Sequence, residues 1–325
     1  MLIFKHKNPE AQLPAKPDVW VVIPLKDAFI NELRQHFSVH YSPDGPASAD
    51  LDSMSAVPLR GVVTNGSTGF TEKQIDRFPR LEIICSFGAG YEGVDVAAAR
   101  KRGINVTNAP GVNDANVADH ALALMLALAR GLVQANAAVH AGRWKSSRVE
   151  RPSINGSALG IIGLGNIGMG IAKRAAAFGM QIGYHTRSVH AGVAWRHYPT
   201  VVGLAADSDY LVAACPGGAA TRNLVNAAVL EALGPQGWFV NIARGSVVDT
   251  AALIEALQGA RIAGAGLDVV DGEPEVPAAL LACESVIFTP HVAGRSPEVL
   301  RAQLDSLLAN MGAQFSGRPV PTPVG

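Results

Sequence analysis

An excess of charge of either sign is missing from this chain. Lys plus Arg number 27 and Asp plus Glu number 27, so the formal net charge is +0. That balance argues against a nucleic-acid or membrane-surface partner, since both leave a basic footprint. Charged residues are also scarce at 17%, against 48% hydrophobic residues, the reverse of a disordered composition. Cysteine is rare, with only Cys85, Cys215 and Cys283. They are odd in number, far apart, and each lies in or beside an apolar run. Buried free thiols in a reducing compartment are expected rather than disulfides. No CxxC or Cys/His ligand spacing occurs, so no metal site is expected. No apolar run reaches the ~18 residues of a membrane span. The opening Met-Leu-Ile-Phe-Lys-His-Lys has no long apolar core and no cleavage site. A soluble, cytoplasmic protein is expected.

What is present is glycine in informative places. Leu159 to Ile162 reads as a short apolar strand running into Gly163-Leu164-Gly165-Asn166-Ile167-Gly168. An alanine-rich segment to Phe178 suits a helix, and Met180 to Tyr184 suits a second parallel strand. This is the strand, glycine-rich turn, helix and strand of a dinucleotide-binding βαβ unit. Gly163 permits the tight turn, Gly165 leaves room for a pyrophosphate, and Gly168 lets helix and strand approach. The helix N-terminus offers free N–H groups and a positive dipole end to phosphate.

The 325 residues give room for two domains of ordinary size. Residues 18–23, 39–41, 59–64, 81–85 and 104–107 read as strands alternating with helices at 27–37, 71–78 and 94–102, a small parallel-sheet domain. Thr71 and Gln74 suit a capping box. Two glycine-rich loops, Asn65 to Gly69 and Ser86 to Gly90, leave strand ends, where open α/β sheets place ligands. Asn108-Ala109-Pro110-Gly111 marks a boundary. Val117 to Ala141 then reads as one long helical stretch. Its face is too apolar for a solvated helix, so it is buried within the chain or against a second subunit. The βαβ rhythm resumes with six strands at 159–162, 180–184, 210–214, 237–242, 263–267 and 285–289. Helices are expected at 167–178, 226–233, 249–258 and 298–315. An extended tail carrying Pro319, Pro321 and Pro323 follows.

Three later strand ends carry polar residues. They read Asn241-Ile-Ala-Arg244-Gly, then Gly-Leu-Asp268-Val with Glu273-Pro, then Thr289-Pro-His291-Val-Ala-Gly294. Singly, Arg244 suits a surface ion pair, Glu273 a solvated loop, and His291 a structural histidine. Their placement at one sheet edge, beside the glycine-rich turn, suits hydride transfer between a nicotinamide and a carbonyl. That chemistry needs a proton donor near neutral pKa, a bidentate cation for a carboxylate, and a carboxylate that orients the histidine and stabilises its imidazolium form.

Together these motifs resemble the D-isomer-specific 2-hydroxyacid dehydrogenase family over nearly the whole chain. The resemblance implies an α/β fold of two doubly wound parallel-sheet domains, one flavodoxin-like and one Rossmann, with the active cleft between them. It implies a discontinuous substrate domain, 1–109 with 292–325, and a cofactor domain, 110–291. It also implies a homodimer built on the helix around 117–141. Arg244, Glu273 and His291 take the catalytic positions. His291 would be the acid in reduction, Arg244 would hold the 2-oxo acid, and Glu273 would tune His291. Phe87, Gly88, Ala89 and Gly90 would present backbone amides to the substrate carboxylate. Asp268 would sit near the nicotinamide carboxamide. Cofactor contacts are further implied for Cys215, Pro216, Thr221, Ile242, Ala243 and Gly294.

The second strand of the dinucleotide unit ends in Tyr184-His185-Thr186-Arg187-Ser188, with no acid to bind ribose hydroxyls. Arg187 would stack on adenine or pair with a 2′-phosphate, to which Thr186 and Ser188 could donate. NADP(H) is therefore expected over NAD(H), the plain alternative being a surface cation at 187. Details including Gly142-Arg-Trp144-Lys and the ending Thr-Pro-Val resemble the glyoxylate/hydroxypyruvate and hydroxyphenylpyruvate reductase branch. The small polar loop at 65–69 favours glyoxylate and hydroxypyruvate, with hydroxyphenylpyruvate as the alternative. Trp144 either reaches a partner's cleft or is a plain interface residue. Two other readings stand: a co-repressor-like NAD(H)-sensing binding protein, and an NAD-linked phosphoglycerate dehydrogenase, which Arg187 disfavours. Gly217-Gly218 departs from the family pattern, where Leu-Thr is common.

Overall fold

The computed structural model describes residues 15–46 and 48–324. The N-terminal run considered above lies outside them. The described chain divides into two compact units. The first runs to Pro110 and resumes at Arg301, and the second spans Gly111–Leu300.

In the first unit β1 (Asp18–Val21), α1 (Asp27–His36), β2 (Ser38–Tyr41), α2 (Ser48–Met54), β3 (Gly61–Thr64), α3 (Glu72–Ile75), β4 (Ile83–Ser86), α4 (Val96–Lys101) and β5 (Asn105–Thr107) follow in order. The strands form one parallel sheet ordered β2-β1-β3-β4-β5, the flavodoxin-like order. Alternation along β1 fixes the two faces. Val19 and Val21 bury against Ile30 and Leu33 of α1 and against Leu304, Leu307 and Met311. Trp20 buries on the other face with Phe70 and Phe78. Thr71 and Gln74 form the expected capping box, but the helix it starts ends at Ile75, short of the expected Phe78. The proline tail is not simply extended. Pro323 bridges Thr107 in antiparallel sense, and the Val324 amide donates to the Val106 carbonyl at 2.8 Å.

The second unit holds α5 (Asp114–Arg130), α6 (Leu132–His140), β6 (Ala158–Ile162), α7 (Asn166–Ala177), β7 (Gln181–His185), β8 (Arg196–His197), α8 (Val201–Ala206), β9 (Tyr210–Ala213), α9 (Ala227–Leu233), β10 (Trp238–Asn241), α10 (Thr250–Gln258), β11 (Gly264–Leu267), α11 (Ala278–Leu281) and β12 (Val286–Phe288). A final helix, α12 (Pro297–Phe315), starts there and belongs to the first unit from Arg301 onward. The sheet has seven parallel strands, β12-β11-β10-β9-β6-β7-β8, in the Rossmann order. Six strands were expected. The seventh, β8, has two residues and too little periodicity to register in the sequence.

The expected single helix over 117–141 is two helices. Gly131 takes a left-handed conformation (φ 58°) that caps α5 and opens α6, and the axes bend by 59° there. The positive φ is what favours glycine there; the Arg151 guanidinium carbon, 2.6 Å from where a Cβ would stand, ends a flexible side chain that can move aside. The two helices differ in burial. Val117, Ala121, Leu124, Met125 and Leu128 of α5 join the core with Ile171 of α7 and Ile161 of β6. Leu132 and Val133 of α6 are more than half exposed, at 54% and 53%. No single helix among the described residues is long and apolar enough to cross a membrane. Of the three thiols only Cys85 is buried; Cys215 and Cys283 are half-buried.

Candidate active site

The order of the second sheet reverses between β6 and β9, and the crevice of such a sheet lies at the carboxyl ends of those two strands. Gly163 leaves β6 with φ 96°, its amide donating to the His185 carbonyl at 2.9 Å. A Cβ on Gly163 would lie 2.8 Å from the Cys215 Cα at the end of β9. A Cβ on Gly168 would lie 2.1 Å from the Gly163 carbonyl oxygen. Gly165 differs, with nothing within 4 Å of the position its Cβ would take. The first and third glycines are therefore demanded by packing, while the second faces open space above the N-terminus of α7. A cavity of about 540 Å³ continues from Leu164, Gly165 and Asn166 along α7 to Lys173 and His190. Leu164 itself is buried and Ile167 half-buried. An open glycine at a helix start fits a pyrophosphate.

The turn after β7 is built from within. His197 Nε2 lies 3.0 Å from the Thr186 carbonyl, and the His190 amide donates to the buried Tyr184 hydroxyl at 2.9 Å. Thr186 Oγ1 donates to the Ser188 carbonyl at 2.5 Å. Its one proton is thus committed inside the turn, so the expected donation from Thr186 to a 2′-phosphate is not available in this arrangement. Arg187 and the Ser188 side chain stand exposed beside it.

Three carboxyl-edge loops carry the polar residues. After β10, buried Asn241 accepts from the Ala243 amide at 3.0 Å and donates to the Arg244 carbonyl at 3.0 Å, shaping the turn that presents Arg244. Arg244 Nη1 donates to the Ala243 carbonyl at 2.7 Å. A Cβ on Gly217 would lie 2.7 Å from the Arg244 Cγ, so that glycine makes room for the arginine stem. After β11, the Glu273 carboxylate reaches forward to His291, whose Nδ1 donates to Oε1 at 2.5 Å. The Val270 amide donates to the other carboxylate oxygen at 3.3 Å. Burial pushes the Glu273 carboxyl up. The His291 hydrogen bond and charge, the Val270 amide and the field of Arg244 more than offset that, leaving it below the usual range.

After β12, His291 itself has a left-handed backbone (φ 52°), uncommon outside glycine though histidine tolerates it better than most side chains do. Asp268 holds it there. The His291 amide donates to the Asp268 carbonyl at 2.9 Å, Val292 N to Oδ1 at 2.9 Å and Ala293 N to Oδ2 at 3.0 Å. Thr289 Oγ1 donates to Oδ1 at 2.6 Å. Asp268, expected beside a carboxamide, is thus first of all the clamp of the histidine loop.

In the first unit, Phe87 to Gly90 follow β4. The carbonyls of Gly88, Ala89 and Gly90 are held from within the unit. Ala109 N donates to the Gly88 carbonyl at 2.8 Å, Asn108 Nδ2 to that of Ala89 at 2.7 Å, and Ser86 Oγ to that of Gly90 at 2.5 Å. Among the described residues, the amides of Gly88, Ala89 and Gly90 donate to no protein group. Three fixed, unused N–H groups in succession make an anion cradle.

Residues 122–293 match the family model described as the D-isomer specific 2-hydroxyacid dehydrogenase, NAD binding domain. Over 307 residues the chain is 40% identical to a glyoxylate/hydroxypyruvate reductase A of Arabidopsis thaliana, covering 94% of this chain and 98% of that one. It belongs to the D-isomer specific 2-hydroxyacid dehydrogenase family. A hydroxyphenylpyruvate reductase of Plectranthus scutellarioides is 39% identical over 94% of this chain and 98% of its own. Among solved structures, an NADPH-dependent glyoxylate/hydroxypyruvate reductase of Sinorhizobium meliloti, in complex with NADP and malonate, superimposes with a TM-score of 0.88. It is 40% identical, covering 96% of this chain and 97% of that one.

Within this dehydrogenase, the loop after β9 closes on itself, Thr221 Oγ1 donating to the Pro216 carbonyl at 2.7 Å. Burial pushes the Cys215 thiol up to about 11. Ile242 and Ala243 are buried at the end of β10. Two residues outside the expected set also stand here. Among the described residues the buried Asn113 Oδ1 has no hydrogen-bond partner, and its side chain fills the space a Cβ on Gly294 would need. His120, on α5, has Nε2 2.9 Å from Thr289 Oγ1. A histidine on an apolar helical stripe, three residues after buried Val117, was the sequence signal for it.

Proposed function

We propose that this dehydrogenase reduces small 2-oxo acids, glyoxylate and hydroxypyruvate first, to D-2-hydroxy acids, with NADPH as the preferred cofactor. The observation that carries the reading is the His291–Glu273 pair at 2.5 Å, on the sheet edge that also presents Arg244 and the open Gly165. The names of the relatives above support the substrate class.

The residues present fit a dinucleotide. Gly165 and the first turn of α7 would receive its pyrophosphate, and Arg187 with Ser188 its 2′-phosphate. When bound, the nicotinamide supplies the hydride. Glu273 accepts from His291 Nδ1–H, which leaves Nε2 to give its proton to the carbonyl oxygen as that oxygen gains charge. Arg244 pairs with the acid and polarises its carbonyl. The amides of Gly88 to Gly90 are assigned to a carboxylate. The buried acceptor of Asn113 is assigned to a donor on the cofactor. We also assign a homodimer, on the exposed apolar Leu132 and Val133 of α6 and on Trp144, 67% exposed. Light scattering reads the mass directly.

The test is initial rates with glyoxylate, hydroxypyruvate, hydroxyphenylpyruvate and pyruvate, each with NADPH and with NADH. Fastest turnover of glyoxylate or hydroxypyruvate with NADPH is expected. Preference for hydroxyphenylpyruvate would favour the second reading, which the Plectranthus relative supports. No turnover of any acid would refute both.

A further inference from the structure

The loop that carries His291 is tied to a helix remote from it in sequence. Thr289 Oγ1 donates its single proton to Asp268 Oδ1 at 2.6 Å. A hydroxyl that has given its proton can only accept from a further partner. The contact of 2.9 Å between Thr289 Oγ1 and His120 Nε2 is therefore donated by the imidazole. The same Nε2 lies 3.5 Å from Asp268 Oδ1. A chain of donors thus runs from α5 through His120 and Thr289 into the carboxylate that takes the amides of Val292 and Ala293. His120 borders the buried stripe of α5 marked by Val117, Ala121 and Leu124, where an apolar residue is the ordinary choice. It is only 22% exposed, so the donation is shielded from water.

We propose that His120 is a positioning residue: by donating to Thr289 it fixes the Asp268 carboxylate, and through it the left-handed backbone that presents His291. His291 has a left-handed conformation that side chains adopt at some cost, and the Asp268 clamp is what holds the loop in it. With His120 replaced by leucine, Thr289 loses a donor and its hydroxyl is free to rotate away from Asp268. The carboxylate then holds the Val292 and Ala293 amides less firmly, and His291 departs from its productive placement. The proposal rests on the reading of His291 as the proton donor, so the test has one arm that does not depend on turnover.

In the first arm, His120→Leu, Thr289→Val and the double variant are compared in the intact enzyme. Each single variant is expected to lower kcat on the order of tenfold or more, with the NADPH Kd from tryptophan quenching within about twofold of the parent. The double variant is expected to be no worse than either single one, because both cut the same chain. His120→Gln keeps a side-chain N–H donor and is expected to restore most of kcat, which a volume effect would not do. In the second arm, hydrogen exchange of the Val292 and Ala293 amides is expected to accelerate in His120→Leu and Thr289→Val and to recover in His120→Gln. Unchanged exchange in both single variants overturns the proposal, as do fully additive losses or a failure of glutamine to rescue. If the parent reduces no 2-oxo acid yet exchange responds as expected, the functional reading fails and the clamp stands. Should His120→Leu not fold, Thr289→Val and His120→Gln still decide it.

Discussion

Replacing Gly217 by alanine addresses Arg244 without touching it. An alanine Cβ at 217 would lie 2.7 Å from the Arg244 Cγ and 3.3 Å from its Cβ. Carbon pairs are comfortable at about 3.5–4.0 Å, so the first approach is strongly repulsive and the second mildly so. The Arg244 Cβ is fixed by the backbone turn that Asn241 holds, but the Cγ moves with χ1. A change to the next rotamer turns χ1 by about 120° and carries the Cγ and the guanidinium to a new place. The Nη1 donation to the Ala243 carbonyl at 2.7 Å is lost on the way. If the guanidinium binds the substrate carboxylate, its misplacement forfeits a charge-assisted hydrogen bond of about 1.5–3 kcal/mol. Since about 1.4 kcal/mol is tenfold, KM for glyoxylate should rise about ten- to hundredfold. Arg244 is half-buried rather than enclosed, which sets the expectation near tenfold. Steady-state kinetics at saturating NADPH read this, with the cofactor Kd and the thermal midpoint as controls. A KM within about twofold of the parent would refute the argument that Gly217 sets the arginine rotamer.

Three further outcomes are expected. Arg187→Ala should weaken NADPH far more than NADH, by about tenfold or more for one charge-assisted contact to phosphate; equal losses in titrations of both cofactors would remove Arg187 from the 2′-phosphate. Glu273 has a folded pKa below its ordinary 4.5, so the stability it contributes is complete above that value and fades as pH falls through the lower folded one. The thermal midpoint of Glu273→Gln should therefore trail the parent at about pH 5 and close on it with further acidification, and a gap that widens below that pH would contradict the sign. Burial pushes the Cys85 thiol up to about 12, which leaves a thiolate fraction of about one in ten thousand at pH 8; thiol reagents should label Cys283 first and Cys85 only on unfolding, as mass spectrometry of digests would report.

Much of the fold was legible because its signals are local. Apolar runs of four or five residues, each followed by glycine or a small polar residue, mark parallel strands buried on both faces. The glycine triplet marks the turn after β6, and the structure adds why each member is glycine. What escaped left little local signal. The break at Gly131 lies in its left-handed backbone, and a glycine between two alanine-rich helical segments does not by itself announce a 59° bend. The two-residue β8 is too short for any period. At the site, residue types and strand-end positions pointed to Arg244, Glu273 and His291, since chemistry restricts which side chains serve. The supporting residues were illegible for the opposite reason. A histidine at 120, an asparagine at 113 or a threonine at 289 has many bland uses, and only folding brings His120 and Thr289 to 2.9 Å. Asp268 shows the same limit, because its position was evident and its partners were not.

The proline-rich tail lies along the outer strand of the first sheet. An unpaired edge strand is a template on which another chain can add, and β5 is such an edge. Val324 and Pro323 occupy it, while Thr322 is anchored by Asn310 and donates to the Asn108 carbonyl. Pro319, Pro321 and Pro323 have no N–H to offer, so the tail cannot itself become the next strand of a growing sheet. It acts as a selvedge: it finishes the β5 border of the sheet. The protection of that edge is thus supplied by residues more than 200 positions away in the chain, and substituting Thr322, Pro323 and Val324 together would unpick it.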